Sequence, residues 1–235
     1  MDARTMRTEM LIGEEAMEKL RSSSVAVLGL GGVGSWCAEA LARAGVGKLT
    51  LMDQDSVSET NINRQLCATY STIGTEKAAA VASRLRDIAP DAEIIPMCAR
   101  YEAETRESFF MGGYDYIADC IDLVACKLDL IQTAGERGIP IISALGTGNK
   151  LNAERLTICD ISKTIGCPLA RVVRKELRHR GIAHLDVVYS PEEGISPSQP
   201  EAPPPGRRSV PGSVVWVPAT AGMLMAQHIV TTLIK

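Results

Sequence analysis

The chain has 235 residues, 46% of them hydrophobic and 23% charged, with a formal net charge of −3. That balance excludes a disordered chain, favours one well-buried core over two independent catalytic domains, and gives no global attraction to nucleic acid. No apolar run approaches the roughly 20 residues of a membrane span. The start, Met1-Asp2-Ala3-Arg4, is polar, so a cytoplasmic location is expected.

Residues 1–23 read as an N-terminal helical arm. From Ser24 short apolar runs alternate with longer helix-period segments, the mark of βαβ units building a parallel sheet. Strands are expected at 25–28, 48–52, 93–97, 116–119, 140–143 and 155–159, and helices at 34–44, 75–88, 104–111 and 124–137. Gly112-Gly113 and Gly138 follow the last two helices as stop signals. Residues 191–212 hold seven prolines, so neither helix nor central strand can persist there and a mobile surface loop over 190–212 is expected. Beyond it, 214–217 reads as a strand and 219–234 as an apolar helix with no polar face, which has to be buried in the core or against a second subunit; the subunit interface is the favoured reading. The fold class expected is α/β: a Rossmann-like, mainly parallel sheet with helices on both faces, then a C-terminal strand and apolar helix. It forms a single domain with a core at 24–160 and a substrate-side extension at 161–235.

Gly29-Leu30-Gly31-Gly32-Val33-Gly34 follows an expected strand and opens an expected helix, the context in which G-x-G-x-x-G carries meaning. The glycines allow a tight turn, and the helix N-terminus offers free N–H groups and a positive dipole to phosphate. Asp53 ends the next strand, where a carboxylate can accept hydrogen bonds from ribose hydroxyls. A dehydrogenase would satisfy this much. It would also need an apolar nicotinamide slot, whereas the segments that follow are Asp53-Gln54-Asp55, Asn61-Ile62-Asn63-Arg64-Gln65, Gly74-Thr75-Glu76-Lys77 and Asp119-Cys120-Ile121-Asp122. Arg64 and Lys77 are suited to neutralise the charge that develops when a carboxylate attacks an α-phosphate and pyrophosphate leaves. Asp122, just past a strand end, suits magnesium, or it caps the helix that begins beside it; both roles can hold at once.

The run from Arg7-Thr8-Glu9 through these five motifs resembles the ThiF/MoeB/HesA superfamily, relatives of the ubiquitin-activating enzymes, over nearly the whole chain. The resemblance implies ATP-dependent adenylation of a carboxylate. It implies nucleotide contacts at Gly29, Gly31, Gly32, Gly34, Asp53, Asp55, Asn63, Arg64, Gln65 and Lys77, phosphate roles for Arg64 and Lys77, and magnesium on Asp122. It also implies a homodimer in which Arg7 reaches the partner's site.

For the substrate, the seven cysteines (Cys37, Cys67, Cys98, Cys120, Cys126, Cys159, Cys167) contain no C-x-x-C pair, so the zinc cysteines common among activators of ThiS-like or MoaD-like sulfur carriers are missing and reduced thiols are expected. The stretch from Asp160 to Arg178 and Val188-Tyr189-Ser190-Pro191-Glu192-Glu193 resemble instead the branch that dehydrates threonylcarbamoyladenosine in tRNA. Members adenylate the threonine carboxylate, and an internal nitrogen then expels AMP to close a ring. Adenylation of a sulfur-carrier C-terminus is the alternative, and a sulfur-transfer accessory protein stays open as a partner. That branch commonly has an acidic residue where this chain has Cys167, which leaves a nucleophilic thiol or a passive replacement. At 100° per residue over 168–180, Arg171, Arg174, Lys175 and Arg178 fall on one stripe, with Leu169, Val172, Val173 and Leu177 opposite. This is a candidate tRNA-binding face, which the nearby Arg207-Arg208 could supplement.

Overall fold

The structure, a computed structural model, describes residues 2–198 and 210–235. The prolines at 203–205 and Arg207-Arg208 lie outside the described residues.

Five parallel strands, β1 (Ser24–Leu28), β2 (Lys48–Met52), β3 (Glu93–Met97), β4 (Tyr116–Asp119) and β5 (Ile141–Ala144), form the body of the sheet. β7 (Asp186–Tyr189) pairs in parallel with β5, and β6 (Thr157–Asp160) runs antiparallel to β7 at the edge. The order is β3-β2-β1-β4-β5-β7-β6. Strands covered on both faces need no polar side, which is why β1 reads Ser-Val-Ala-Val-Leu with four of five residues buried. The chain reverses its direction of winding between β1 and β4. The crevice beyond the carboxyl ends of those two strands is where ligands of doubly wound sheets sit.

The arm is two helices, α1 (Met6–Ile12) and α2 (Glu14–Ser22), joined at Gly13. The crossover helices are α3 (Gly34–Ala44), α4 (Lys77–Ile88), α5 (Arg106–Phe110) and α6 (Val124–Glu136), followed by α7 (Pro168–His179) and α8 (Trp216–Leu233). Most boundaries agree with the sequence expectation to within two residues. Two elements do not: the strand expected at 214–217 is absent, its residues being loop and the first turn of α8, and β7 stands where no strand is expected from the sequence. The last strand in chain order is β7, whose Val187 and Val188 are fully buried between β5 and β6.

The apolar helix α8 is covered largely by its own chain. It crosses α3 closely enough that a Cβ on Gly222 would lie 2.4 Å from the Val33 carbonyl oxygen. Val217, Ala221, Met225 and Ile229 enter the main core with Leu41 and Val27. Burying Met225 and Ile229 contributes about 1.5–3 kcal/mol each. The expectation that the apolar helix packs against a second subunit is therefore corrected at Ile229, which is fully buried within the subunit, while Met223 remains 44% exposed. Among the described residues no helix is long and apolar enough to cross a membrane.

Candidate nucleotide site

A cavity of about 360 Å³ opens at the carboxyl ends of β1, β2 and β4. Its floor is the glycine loop. Gly29 has φ +84°, and a Cβ there would lie 2.5 Å from the Cys120 carbonyl oxygen; one on Gly34 would lie 1.9 Å from that of Gly29. Both positions thus require glycine, for turn conformation and for close approach of the β1 and β4 ends. Gly29, Gly31 and Gly32 line the cavity, whereas Gly34 lies beneath it as the first residue of α3. No side chain caps α3; of its first amides, Ser35 N–H already donates to Gly31 O at 3.2 Å, so only the others could meet a ligand.

Asp53 ends β2 with its carboxylate oriented by two backbone donors: Leu30 N–H to Oδ2 at 2.6 Å and Asp55 N–H to Oδ1 at 2.8 Å. It ties the glycine loop to the segment beyond β2 and keeps spare lone pairs over the cavity. That segment pairs with residues 74–77 in a short antiparallel ladder. Val57 N–H donates to Thr75 O, Gly74 N–H to Val57 O, and Lys77 N–H to Asp55 O at 2.9 Å. The ladder delivers Lys77, only 6% exposed, so that its ammonium sits 2.9 Å from Asp55 Oδ2.

Arg64 arrives on the loop after β2. Asn61, through its side-chain oxygen, accepts from Ser58 N–H, and its carbonyl accepts from the Arg64 and Gln65 amides. Arg64 Nη1 donates to Thr60 O at 2.9 Å and to Asn63 Oδ1 at 2.8 Å, and the Trp36 indole donates to Arg64 O. Gln65 is 7% exposed, and its Oε1 has no hydrogen-bond partner. An unpartnered buried oxygen beside the glycine loop is what a ligand donor would satisfy. Asp122 is exposed at the cavity rim. It does not cap α6, whose N-cap position is Leu123, so that sequence alternative is corrected.

Of the residues nominated from sequence, the cavity brings together Gly29, Gly31, Gly32, Asp53, Asp55, Arg64, Gln65, Lys77 and Asp122. Asn63 stands outside it, bracing Arg64 and donating from Nδ2 to Ser213 O at 3.0 Å. Arg7 is exposed on α1 and does not line its own chain's cavity. No group of three or more metal-ligating side chains capable of holding a metal ion occurs among the described residues. A magnesium ion here would rest on Asp122 with phosphate and water oxygens, which is how magnesium commonly binds in nucleotide sites.

Sequence reasoning missed Arg100, Tyr101, Thr147, Gly148 and Pro211–Ser213 as lining. It also missed a buried network behind the rim. Lys127 and Asp119 are both fully buried, 2.6 Å apart, with Ser143 Oγ donating to Asp119 at 2.5 Å and Lys127 Nζ donating to Ala144 O. Asp119 Oδ1 also accepts from Ile121 N–H, fixing the turn that presents Asp122. Lys127 betrays itself in the sequence by sharing a helix face with Leu130 and Ile131, where a cation needs a buried partner.

At α7, Cys167 is the N-cap residue, buried, with Sγ accepting from Ala170 N–H at 3.5 Å. A carboxylate at this position would cap the helix more strongly than a thiol. Burial pushes the Cys37 thiol up to about 12 and the Cys120 thiol well up, so neither is a thiolate at neutral pH. On the basic stripe Arg171, Lys175 and Arg178 are exposed. Arg174 departs from expectation, because its Nη1 donates to Thr164 O and Oγ1 at 2.7 and 2.5 Å. Val172, placed by the sequence on the packed side, is 46% exposed; the packed residues are Ala170, Val173 and Leu177.

Fold and site together define the class: a Rossmann-like α/β protein whose switch-point cavity is shaped for a nucleotide. The chain belongs to the ThiF family, which matches residues 3–235. Within it, the chain is 43% identical over 238 residues to the tRNA threonylcarbamoyladenosine dehydratase of Bacillus subtilis, covering 97% of this chain and 94% of that protein. It superposes on the E. coli enzyme TcdA in complex with ATP with a TM-score of 0.88 at 32% identity, covering 98% of this chain and 93% of the other. The same enzyme in complex with AMP gives 0.89 with the same identity and coverage.

Proposed function

We propose that this chain uses ATP to adenylate the carboxylate of a threonylcarbamoyl group on a tRNA adenosine beside the anticodon, after which an internal nitrogen displaces AMP and closes a ring. The observation that carries this reading is the convergence of the glycine loop, Arg64, Lys77 and Asp122 on one cavity, in a chain whose similarity to threonylcarbamoyladenosine dehydratases extends end to end.

ATP lies with its ribose on Asp53 and its phosphates over the glycine loop and the amides opening α3. As the carboxylate oxygen attacks the α-phosphorus, negative charge builds on the phosphoryl oxygens and on departing pyrophosphate. Lys77 and Arg64 are already fixed in place by Asp55, Thr60 and Asn63, so they meet that charge with little reorganisation. Asp122 would hold magnesium, which neutralises phosphate charge when bound. In the second step the ring-closing nitrogen loses a proton and AMP carries away the carboxylate oxygen, so the net change in the nucleoside is loss of one water.

In this reading the chain works as a homodimer, with Arg7 completing the neighbouring site, and it acts in the cytoplasm on tRNA held by the exposed cations of α7. The decisive experiment incubates the protein with ATP, magnesium and tRNA bearing threonylcarbamoyladenosine, then weighs the nucleosides. The expected product is the nucleoside lighter by one water, with AMP in equal amount. AMP formed only when a ThiS-like or MoaD-like protein is supplied would transfer the reading to a sulfur-carrier substrate.

A further inference from the structure

Asn149 follows β5 and is the one residue other than glycine with positive φ among those described, at +60°. Asparagine tolerates that left-handed conformation because its short side chain can bond locally, but the conformation still costs energy and persists where its surroundings fix it. Here it holds two distant segments at once. Its N–H donates to Gly212 O at 2.8 Å, its Oδ1 accepts from Gly212 N–H at 2.6 Å, and its carbonyl accepts from Ile195 N–H at 2.8 Å. The preceding Gly148 packs on Pro211, where a Cβ would lie 3.2 Å from Pro211 Cβ.

The residues so held form a wall of the cavity: Pro211, Gly212 and Ser213 line it. Ser213 passes the constraint on, since its carbonyl accepts from Asn63 Nδ2 at 3.0 Å, and Asn63 Oδ1 in turn accepts from Arg64 Nη1 at 2.8 Å. Thr60 O takes the other bond of Nη1. Nε and Nη2 of Arg64 are thereby left without a partner among the described residues, as a group meant for phosphate requires. The Asn63 amide would be free to rotate if Ser213 were not fixed, so the chain from Asn149 to Arg64 is a physical linkage and not mere proximity.

We propose that Asn149 is a positioning residue of the nucleotide site, acting through Gly212, Ser213 and Asn63 to fix the guanidinium of Arg64. The proposal rests on the nucleotide reading of the cavity and is independent of which carboxylate is adenylated. Asn149→Gly keeps the left-handed backbone and removes the Oδ1 acceptor, whereas Asn149→Asp keeps an acceptor in the same place.

The test is calorimetric binding of ATP with magnesium to the full chain, for the wild type, Asn149→Gly, Asn149→Asp, Arg64→Ala and the Asn149→Gly/Arg64→Ala double variant, with thermal melting alongside. Asn149→Gly is expected to weaken ATP binding about 3- to 10-fold, the worth of one neutral hydrogen bond. Asn149→Asp should retain most of the affinity. With Arg64 already absent, Asn149→Gly should weaken binding no further, because residues acting in one network are not additive. Asn63→Ala, which cuts the same linkage from the other side, should show the same dependence on Arg64 and serves if the Asn149 variants melt early. Equal loss from Asn149→Gly with and without Arg64 would overturn the proposal, as would full affinity in both Asn149→Gly and Asn63→Ala. Unchanged tRNA nucleosides after incubation with a wild type that binds ATP would count against the proposed substrate alone and leave this cycle readable.

Discussion

The ammonium of Lys77 lies 2.9 Å from the Asp55 carboxylate, the lysine 6% exposed and its partner side chain 58% exposed. A buried ammonium paired with an open carboxylate stays available to a second anion, because the partner can turn to water when phosphate arrives. Lys77→Ala is therefore expected to lower adenylation about 10²- to 10³-fold, the cost of losing one preorganised charge at a transition state. Asp122→Ala should be comparably severe and should not be rescued by raising ATP. AMP release measures both, with circular dichroism as the control for folding. Full activity in either variant would remove the mechanism proposed for this cavity.

Arg7 stands exposed on α1, and Met6, Met10 and Leu11 of the same helix are 41%, 75% and 88% exposed. Three exposed apolar side chains on a seven-residue helix suit burial against a second copy. Mixing Arg7→Ala chains with Lys77→Ala chains is expected to restore about a quarter of wild-type turnover, since half the dimers are mixed and each contains one complete site. Leu11→Asp should shift the protein to monomer in light scattering and abolish the complementation. Complementation by a strictly monomeric mixture would defeat the idea.

Much of this was legible in the sequence for physical reasons. Gly29 and Gly34 are forced by backbone contacts within a few residues or across adjacent strand ends, and such local necessity writes itself as a motif. β1 and α3 were found to within a residue because burial on both faces and a 3.6-residue period leave few alternatives. The C-terminal region was not legible in the same way. Val214-Val215-Trp216-Val217 has strong β propensity, yet Pro218 and Gly222 sit where α8 must cross α3, and tertiary packing overrode the local preference. Ser213 and Gly212 could not be assigned to the cavity because the bond that puts them there spans 63 residues, from Gly212 to Asn149. Arg174 carried the right spacing for the basic stripe, but nothing local signals that Thr164 would claim its guanidinium.

Glu39, buried on α3, accepts from Arg84 Nε at 2.5 Å and from Arg43 Nε at 2.9 Å, joining α3 to α4 behind the glycine loop. Burial alone would raise its pKa, and the hydrogen bonds from Arg84 and Arg43 outweigh that, holding the carboxyl below its ordinary value. A carboxylate whose folded pKa is depressed stabilises the protein above its unfolded pKa of about 4.3, and that stabilisation is lost as pH falls through the lower folded value. Glu39→Gln is expected to cost roughly 2 kcal/mol at neutral pH. It should also flatten the decline of stability below about pH 4.3 relative to the wild type. Urea titrations across pH measure both, and parallel acid limbs in the two proteins would show that Glu39 contributes no linkage.

On α7 the exposed cations are Arg171, Lys175 and Arg178, while Arg174 is tied to Thr164. The two kinds of arginine should separate in experiment. Three phosphate contacts predict a slope of log affinity against log salt of about −2 to −3 for tRNA, between the single-stranded and duplex limits. Arg178→Ala removes one contact, so it should weaken binding at low salt and reduce the slope magnitude by nearly one, leaving the melting temperature almost unchanged. Arg174→Ala should do the reverse, because it removes bonds that hold the Thr164 segment against the helix. A loss of roughly 1–2 kcal/mol of stability is expected from those bonds, with little change in slope. The measurement is tRNA binding over a salt series for each variant, paired with thermal melting. If Arg171→Ala, Lys175→Ala and Arg178→Ala all leave affinity and slope unchanged, α7 is not the tRNA contact, and its stripe is a solvated helix face whose charges serve only solubility.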